Sequence, residues 1–210
     1  MSKKKKIQAT VLPESNAAPD NARAQMPENE VTFFDKPWLP ILVLLAATAP
    51  TYFSSLDNDF VTFDDDKSIW YNQVIKHPTL KGILGGQSLG MYAPLSIIAY
   101  TIVYQLFGEN AGAFHTAGLL LHLVNVVLVY QLMRRIQTRS WAAFFIALMF
   151  GVHPIMVEPV SWVSGLSTPL FSCFYLLSLH LCWSYLEGKG QRFYWLALLL
   201  FLFAGLSKSA

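Results

Sequence analysis

From residue 38 onward, long apolar runs alternate with short polar breaks, and the runs are too continuous to be one face of a soluble helix. Six stand out: 38–53 (WLPILVLLAATAPTYF), 93–107 (APLSIIAYTIVYQLF), 113–133 (AFHTAGLLLHLVNVVLVYQLM), 141–157 (WAAFFIALMFGVHPIMV), 168–186, and 193–207 (FYWLALLLFLFAGLS). A helix crosses a bilayer with about 20 apolar residues, so the third and fifth runs are the most secure spans. The second is short, opens on Pro94 and has Tyr92, Tyr100 and Tyr104 in or beside it. Its length and aromatics suit a helix lying in the membrane interface. The pattern predicts an all-α, polytopic integral membrane protein.

Basic residues orient it. Lys3–Lys6, then Arg134, Arg135 and Arg139, then Lys189 and Arg192 form the positive clusters. Loops rich in Lys and Arg stay in the cytoplasm. All three clusters share that side if the run at 93–107 lies at the outer interface instead of crossing. The expectation is therefore about five spans, one interfacial helix and a structured outer loop at 54–92. A six-span hairpin layout is the alternative, and it puts Arg134 and Arg135 outside. Gly85, Gly86 and Gly90 are expected to punctuate short helices within the loop.

Composition agrees with this. Of 210 residues, 54% are hydrophobic and only 13% charged, against roughly one-quarter charged in a soluble domain. Residues 1–36 are polar, rich in Pro, Ala, Asn and Glu, and without apolar period, which predicts a disordered cytoplasmic tail ahead of a transmembrane domain at 37–210. Basic residues are not interleaved with exposed aromatics, so nucleic acid is not an expected partner. Cys173 and Cys182 fall in one apolar run, off the helical neighbour spacing, and read as buried small hydrophobes.

Four polar features are left over. Asp64, Asp65 and Asp66 sit together in FVTFDDDKSIWYN, where adjacent like charges repel and each is costly to desolvate. His153, Glu158 and Trp162 lie in HPIMVEPVSW at the outer end of the fourth run. Lys208 lies at the outer end of the last, and His115 and His122 stand two turns apart on the third. The first three features fall on one side of the membrane. Carboxylates, an imidazole and an ammonium there could abstract a proton and bind phosphate. Each has a plainer reading: a solvated turn for the aspartates, a helix end for His153, snorkelling for Lys208. His122 is assigned no role. The chain has no nucleotide-binding glycine loop and no cysteine or histidine pair at metal-ligand spacing, so no nucleotide cofactor is expected and a divalent metal is left open.

The order of these motifs resembles the N-terminal part of the GT-C membrane glycosyltransferases. The nearest likeness is to the transmembrane proteins related to protein O-mannosyltransferases that carry tetratricopeptide repeats. FVTFDDD, YAPLS, FHTAGLLLHLVNVVLVYQLMRR, ALMFGVHPIMVEPVSWVSG and GLSKS carry the resemblance, over roughly 60–209. It implies an inverting sugar transferase that takes its donor from a polyprenyl phosphate and adds it to a protein or glycan hydroxyl. One of Asp64, Asp65 and Asp66 would be the base, with Asp65 preferred and Asp66 next. In an extended or turn conformation Asp64 and Asp66 would point one way and Asp65 the other. Lys208, and with it His153, would lie near the lipid phosphate, and Glu158 is a further candidate substrate-binding residue. Ala93 stands where relatives commonly have Arg, and Leu166, Ser167 and Thr168 where they often have a basic-then-acidic stretch. The chain stops at Ala210 inside a recurring motif, so it is expected to be the first part of a longer protein. It would sit in a bacterial inner membrane, or in the endoplasmic reticulum of a eukaryote. The competing expectation is a non-catalytic membrane scaffold that keeps the fold to bind lipid or a partner. A transporter ranks last, because the charges gather at the outer face and not along a midplane path.

Overall fold

Each apolar run folds as helix in the computed structural model, which describes residues 34, 36, 38–62, 64–88, 90–136 and 139–208. Apart from Phe34 and Lys36, the expected N-terminal tail lies outside these residues. Helix α1 (Trp38–Thr48) tightens into a 3-10 turn, Ala49–Ser55, where Pro50 enters. Helices α5 (Ala111–Ile136) and α8 (Ser167–Leu186) are long, and a 3-10 turn, Ser164–Leu166, leads into α8. Three helical stretches are long and apolar enough to cross a membrane: Trp38–Ser55, Ala111–Ile136 and Ser164–Leu186.

The fourth run is broken. Helix α6 (Ser140–Val152) stops at His153, because Pro154 has no N–H to continue the ladder. A 3-10 turn, Pro154–Met156, and helix α7 (Val157–Ser161) follow, and the axis bends by 48° across the break. Counted as one bent span, this pair makes a fourth crossing. Helix α9 (Gln191–Ser207) has 17 residues, fewer than the roughly 20 a crossing uses. Three helical stretches, or four with the bent pair, therefore meet the length and apolarity of a crossing, and α9 falls short of that length. The α8–α9 hairpin turns at Gly188, whose φ of 78° is the left-handed conformation that closes a helix end.

Side chains reach across the bundle to satisfy backbone groups, as an apolar surrounding demands. The break after α6 takes the Ile155 amide away from the Gly151 carbonyl; that amide donates instead to His153 Nδ1. The freed carbonyl accepts from the Tyr52 hydroxyl (2.9 Å) and meets His122 Nε2 (3.0 Å). Asn125 of α5 donates to the Pro169 carbonyl of α8, and Arg135 donates to the His180 carbonyl and the Ser184 hydroxyl. Leu44, Val126, Tyr130, Ala143 and Ala147 form the core between α1, α5 and α6. At Gly151 the approach is closest: a Cβ there would lie 2.5 Å from Thr48 Oγ1.

The loop after α1 forms a layer over one end of the bundle. A π-helical turn (Asp66–Trp70) is followed by two short helices, α2 (Gln73–Lys76) and α3 (Leu80–Leu84). Asn72 Oδ1 caps α2 by accepting from the Val74 amide, and Thr79 Oγ1 caps α3 by accepting from Gly82. Strands β1 (Gln87–Ser88) and β2 (Met91–Tyr92), absent from the sequence reading, pair antiparallel around Gly90. Helix α4 (Pro94–Phe107) lies along this same end. Its Ser96 donates to the Ser207 carbonyl at the end of α9, its Tyr100 hydroxyl to Ser164, and its Gln105 to the carbonyls of Ile75 and Lys76. Gly112, opening α5, abuts the Leu56 carbonyl just past α1. These side-chain hydrogen bonds of α4 thus go to groups at one end of the bundle. Ile69, Ile75, Ile97, Tyr100, Val103, Phe114, Val163 and Leu166 form the core under the layer. Cys182 is exposed and Cys173 partly so, both with free thiols, which corrects their assignment as buried.

Two outcomes follow for stability. Gly151→Val should lower detergent melting by about 1–3 kcal/mol, because the new side chain drives α1 from α6. Gly205→Ala, with nothing within 4 Å of its added carbon, should be neutral or slightly stabilising. The exposed Lys76–Glu109 pair links α2 to the α4–α5 turn. The Lys76 hydrogen bond holds the Glu109 carboxyl below its usual range, and the Glu109 hydrogen bond raises Lys76. A lowered carboxyl contributes above its unfolded pKa and is lost as pH falls through the folded one; a raised ammonium contributes below its unfolded pKa and is lost above the folded one. Protection of α2 amides should therefore hold from about pH 4 to about pH 10, fall off outside that window, and weaken in high salt.

Candidate active site

The layer and the bundle leave between them a cavity of about 280 Å³. Asp64 of the acidic loop and Met91 of β2 line it on one side. Glu158, Pro159 and Trp162 come from α7 and its end, and Ser164, Gly165, Ser167 and Thr168 from the turn into α8. Lys208, just past α9, completes it. Its ammonium donates to Thr168 Oγ1 at 2.8 Å. Lys208 and Glu158 share the cavity without forming an ion pair with each other. The wall made by residues 158–168 needs a glycine at its fold-back: a Cβ on Gly165 would come within 2.9 Å of the Pro159 carbonyl.

Asp65 does a different job from Asp64. It is 2% exposed, and its Oδ1 accepts from the Ser164 amide (2.8 Å) while Oδ2 accepts from the Val61 amide (2.9 Å). The same Ser164 residue accepts at its carbonyl from the Tyr100 hydroxyl (2.7 Å). Burial, and then the charge of Asp65, push that hydroxyl above the usual tyrosine range, which keeps it a donor. Ser164 is thus held on both sides, and a buried carboxylate gains two amide partners that offset its desolvation. The segment is helical here, with Asp65 at φ −68°, ψ −33°, so the extended geometry expected from the sequence does not apply. Asp64 and Asp65 still diverge, one to the cavity and one to the core.

The remaining residues sort as follows. Asp66 opens the π-helical turn, is absent from the cavity lining and has a buried Oδ1 without a partner. His153 is exposed, caps the turn after α6 through Nδ1 and does not line the cavity. His115 and His122 are buried on α5. Among the described residues, no three His, Cys, Asp or Glu side chains are grouped to hold a metal ion. Reading from the sequence missed Thr168, the partner of Lys208, and Tyr100 and Ser164, which brace the site. Ser167 and Thr168 had been noticed only as departures from a family pattern. Both face the cavity.

No family model matches the chain, and neither does any solved structure. Curated proteins do. The human protein O-mannosyl-transferase TMTC4 is 30% identical over 196 residues, covering 79% of this chain and 26% of its own. The protein O-mannosyl-transferase F38B6.6 of Caenorhabditis elegans is 27% identical over 153 residues, 66% of this chain and 22% of its own. Human TMTC1, also a protein O-mannosyl-transferase, is 33% identical over 99 residues, 47% of this chain and 11% of its own. The chain spans about a quarter of the length of the first two relatives. Taken with the membrane helices, these matches relate the chain to the N-terminal part of the TMTC protein O-mannosyl-transferases.

Proposed function

We propose that the chain forms the donor and acceptor site of an inverting transferase that moves a sugar from a polyprenyl phosphate to a protein hydroxyl at the outer face of a membrane. The relatives' names suggest mannose as the sugar. The observation that carries this reading is the meeting of Asp64, Glu158 and Lys208, from three distant stretches of sequence, in one polar cavity. Transfer to a hydroxyl needs a base for its proton and positive charge for the departing phosphate. Asp64, not Asp65, is the base: Asp65 has both oxygens committed to amides. The Asp64 carboxylate takes the acceptor proton as the hydroxyl oxygen attacks the anomeric carbon. The bond from that carbon to the phosphate oxygen then breaks, and Lys208 stabilises the phosphate that leaves. Trp162, 39% exposed, offers a flat apolar wall to the C–H face of a sugar ring. Ser167 and Thr168 replace charges common in relatives, so donor contacts here rest on hydroxyls. His153 has no part in this scheme.

The topology that goes with it has five spans: α1, α5, the bent α6–α7 pair, α8 and α9. Helix α4 lies in the outer interface and the N-terminus is cytoplasmic. The packing of α4 against groups at one end of the bundle supports its interfacial placement.

Two measurements test these proposals. In membranes supplied with lipid-linked mannose, Asp64→Asn should lose about a hundredfold to ten-thousandfold in transfer while melting as the wild type does. Asp65→Asn should lower melting by about 1.5–3 kcal/mol, the worth of a hydrogen bond to a charged group. An Asp64→Asn protein that keeps more than about a tenth of wild-type turnover would favour the non-catalytic scaffold. For topology, Cys173 and Cys182 are replaced and single cysteines introduced at Asp57 and Lys189. Impermeant maleimide on intact cells should label position 57 and spare 189; outside labelling at 189 would overturn the orientation.

A further inference from the structure

At the opposite end of the bundle from the cavity, α1 and α5 leave a cleft of about 310 Å³ lined by Ile41, Tyr130, Gln131, Arg134 and Arg135. A second hollow, of about 350 Å³, shares Gln131 with it and lies along the same stripe of α5. Its walls are apolar: Val127, Leu128, Val124 and Leu120 on α5, with Leu45 on α1 one turn along from Ile41. The two hollows form one groove with a cationic head and an apolar tail. From Gln131 to Leu120 is three helical turns, about 16 Å at 1.5 Å per residue. That is about half of the roughly 30 Å hydrocarbon core, the depth of one leaflet.

The head carries unspent positive charge. Among the described residues the Arg134 side chain has no hydrogen bond or ion pair, and none of the Asp or Glu residues lines either hollow. Arg135 uses Nη1 on the His180 carbonyl and the Ser184 hydroxyl. The nearest acid to feel its charge, Glu187, is paired with Lys189 at 2.7 Å. Guanidinium groups bind phosphate oxygens in a planar fork, and arginine at a membrane surface attracts anionic headgroups.

We propose that this groove binds an anionic phospholipid, its phosphate held by Arg134 and the free edge of Arg135 and one acyl chain lying along α5 to Leu120. A lipid fits both halves, whereas inorganic phosphate would use only the head and a neutral lipid only the tail. The inner leaflet as its source rests on the topology proposed above; the site itself does not, and it is independent of sugar transfer.

The test titrates the full chain in detergent with dioleoyl phosphatidylglycerol, dioleoyl phosphatidylcholine or inorganic phosphate and follows thermal melting. Phosphatidylglycerol should raise the melting temperature well above the phosphatidylcholine value, and inorganic phosphate should not. Arg134→Gln should weaken the apparent affinity for phosphatidylglycerol about fivefold, the contribution of one basic residue at a membrane surface, and Arg134→Lys should recover part of it. Val124→Trp, which fills the tail and leaves both arginines in place, should also weaken it. Equal effects of the two lipids, a full effect of inorganic phosphate alone, or unchanged affinity in Arg134→Gln would overturn the proposal. The outer-face labelling pattern bears only on the leaflet.

Discussion

The Asp65 carboxylate is the joint on which the cavity end of the structure turns. It takes one amide from its own loop, at Val61, and one from the start of the α8 turn, at Ser164. A carboxylate at 2% exposure is tolerable only with such partners, so its burial fixes where both segments lie. Tyr100 grips the other side of the Ser164 peptide and brings α4 into the same assembly. Loop, helix α4 and bundle are thereby held in one register. Asp64, next in the chain, is left facing the cavity as a consequence.

A second constraint comes from Pro154. By interrupting α6 it turns the chain through 48° and sends residues 157–166 along the end of the bundle instead of out of it. Tyr52 and His122 absorb the cost by satisfying the Gly151 carbonyl. The bent segment then supplies Glu158, Trp162 and the Gly165 fold-back to the cavity wall. His153 belongs to this device: its imidazole caps the turn and does no chemistry in the scheme proposed here. His122, given no role from the sequence, turns out to be part of the same support.

Much of this was legible in the residues. The helices and the membrane setting followed from apolar run length, and charge position grouped the aspartates, Glu158 and Lys208, with His153, on one side. What could not be read was which aspartate goes where. Three adjacent identical side chains differ only through the backbone that carries them, and the helical backbone here sets their directions. Hydropathy alone did not register the proline that bends the fourth run or the shortness of α9. Thr168 was invisible for another reason: a hydroxyl acquires meaning only when the Lys208 ammonium is brought to it from far along the chain.

The central claim is that position 64 faces position 208 across one cavity, and proximity tests it without relying on activity. In a background lacking Cys173 and Cys182, cysteines are placed pairwise at 64 and 208 and treated in membranes with a short bifunctional maleimide. The account predicts an intramolecular cross-link between 64 and 208, and a much weaker one when the first cysteine is moved to 66. Failure of the 64–208 pair to cross-link, with each cysteine reactive singly toward a monofunctional maleimide, would contradict it.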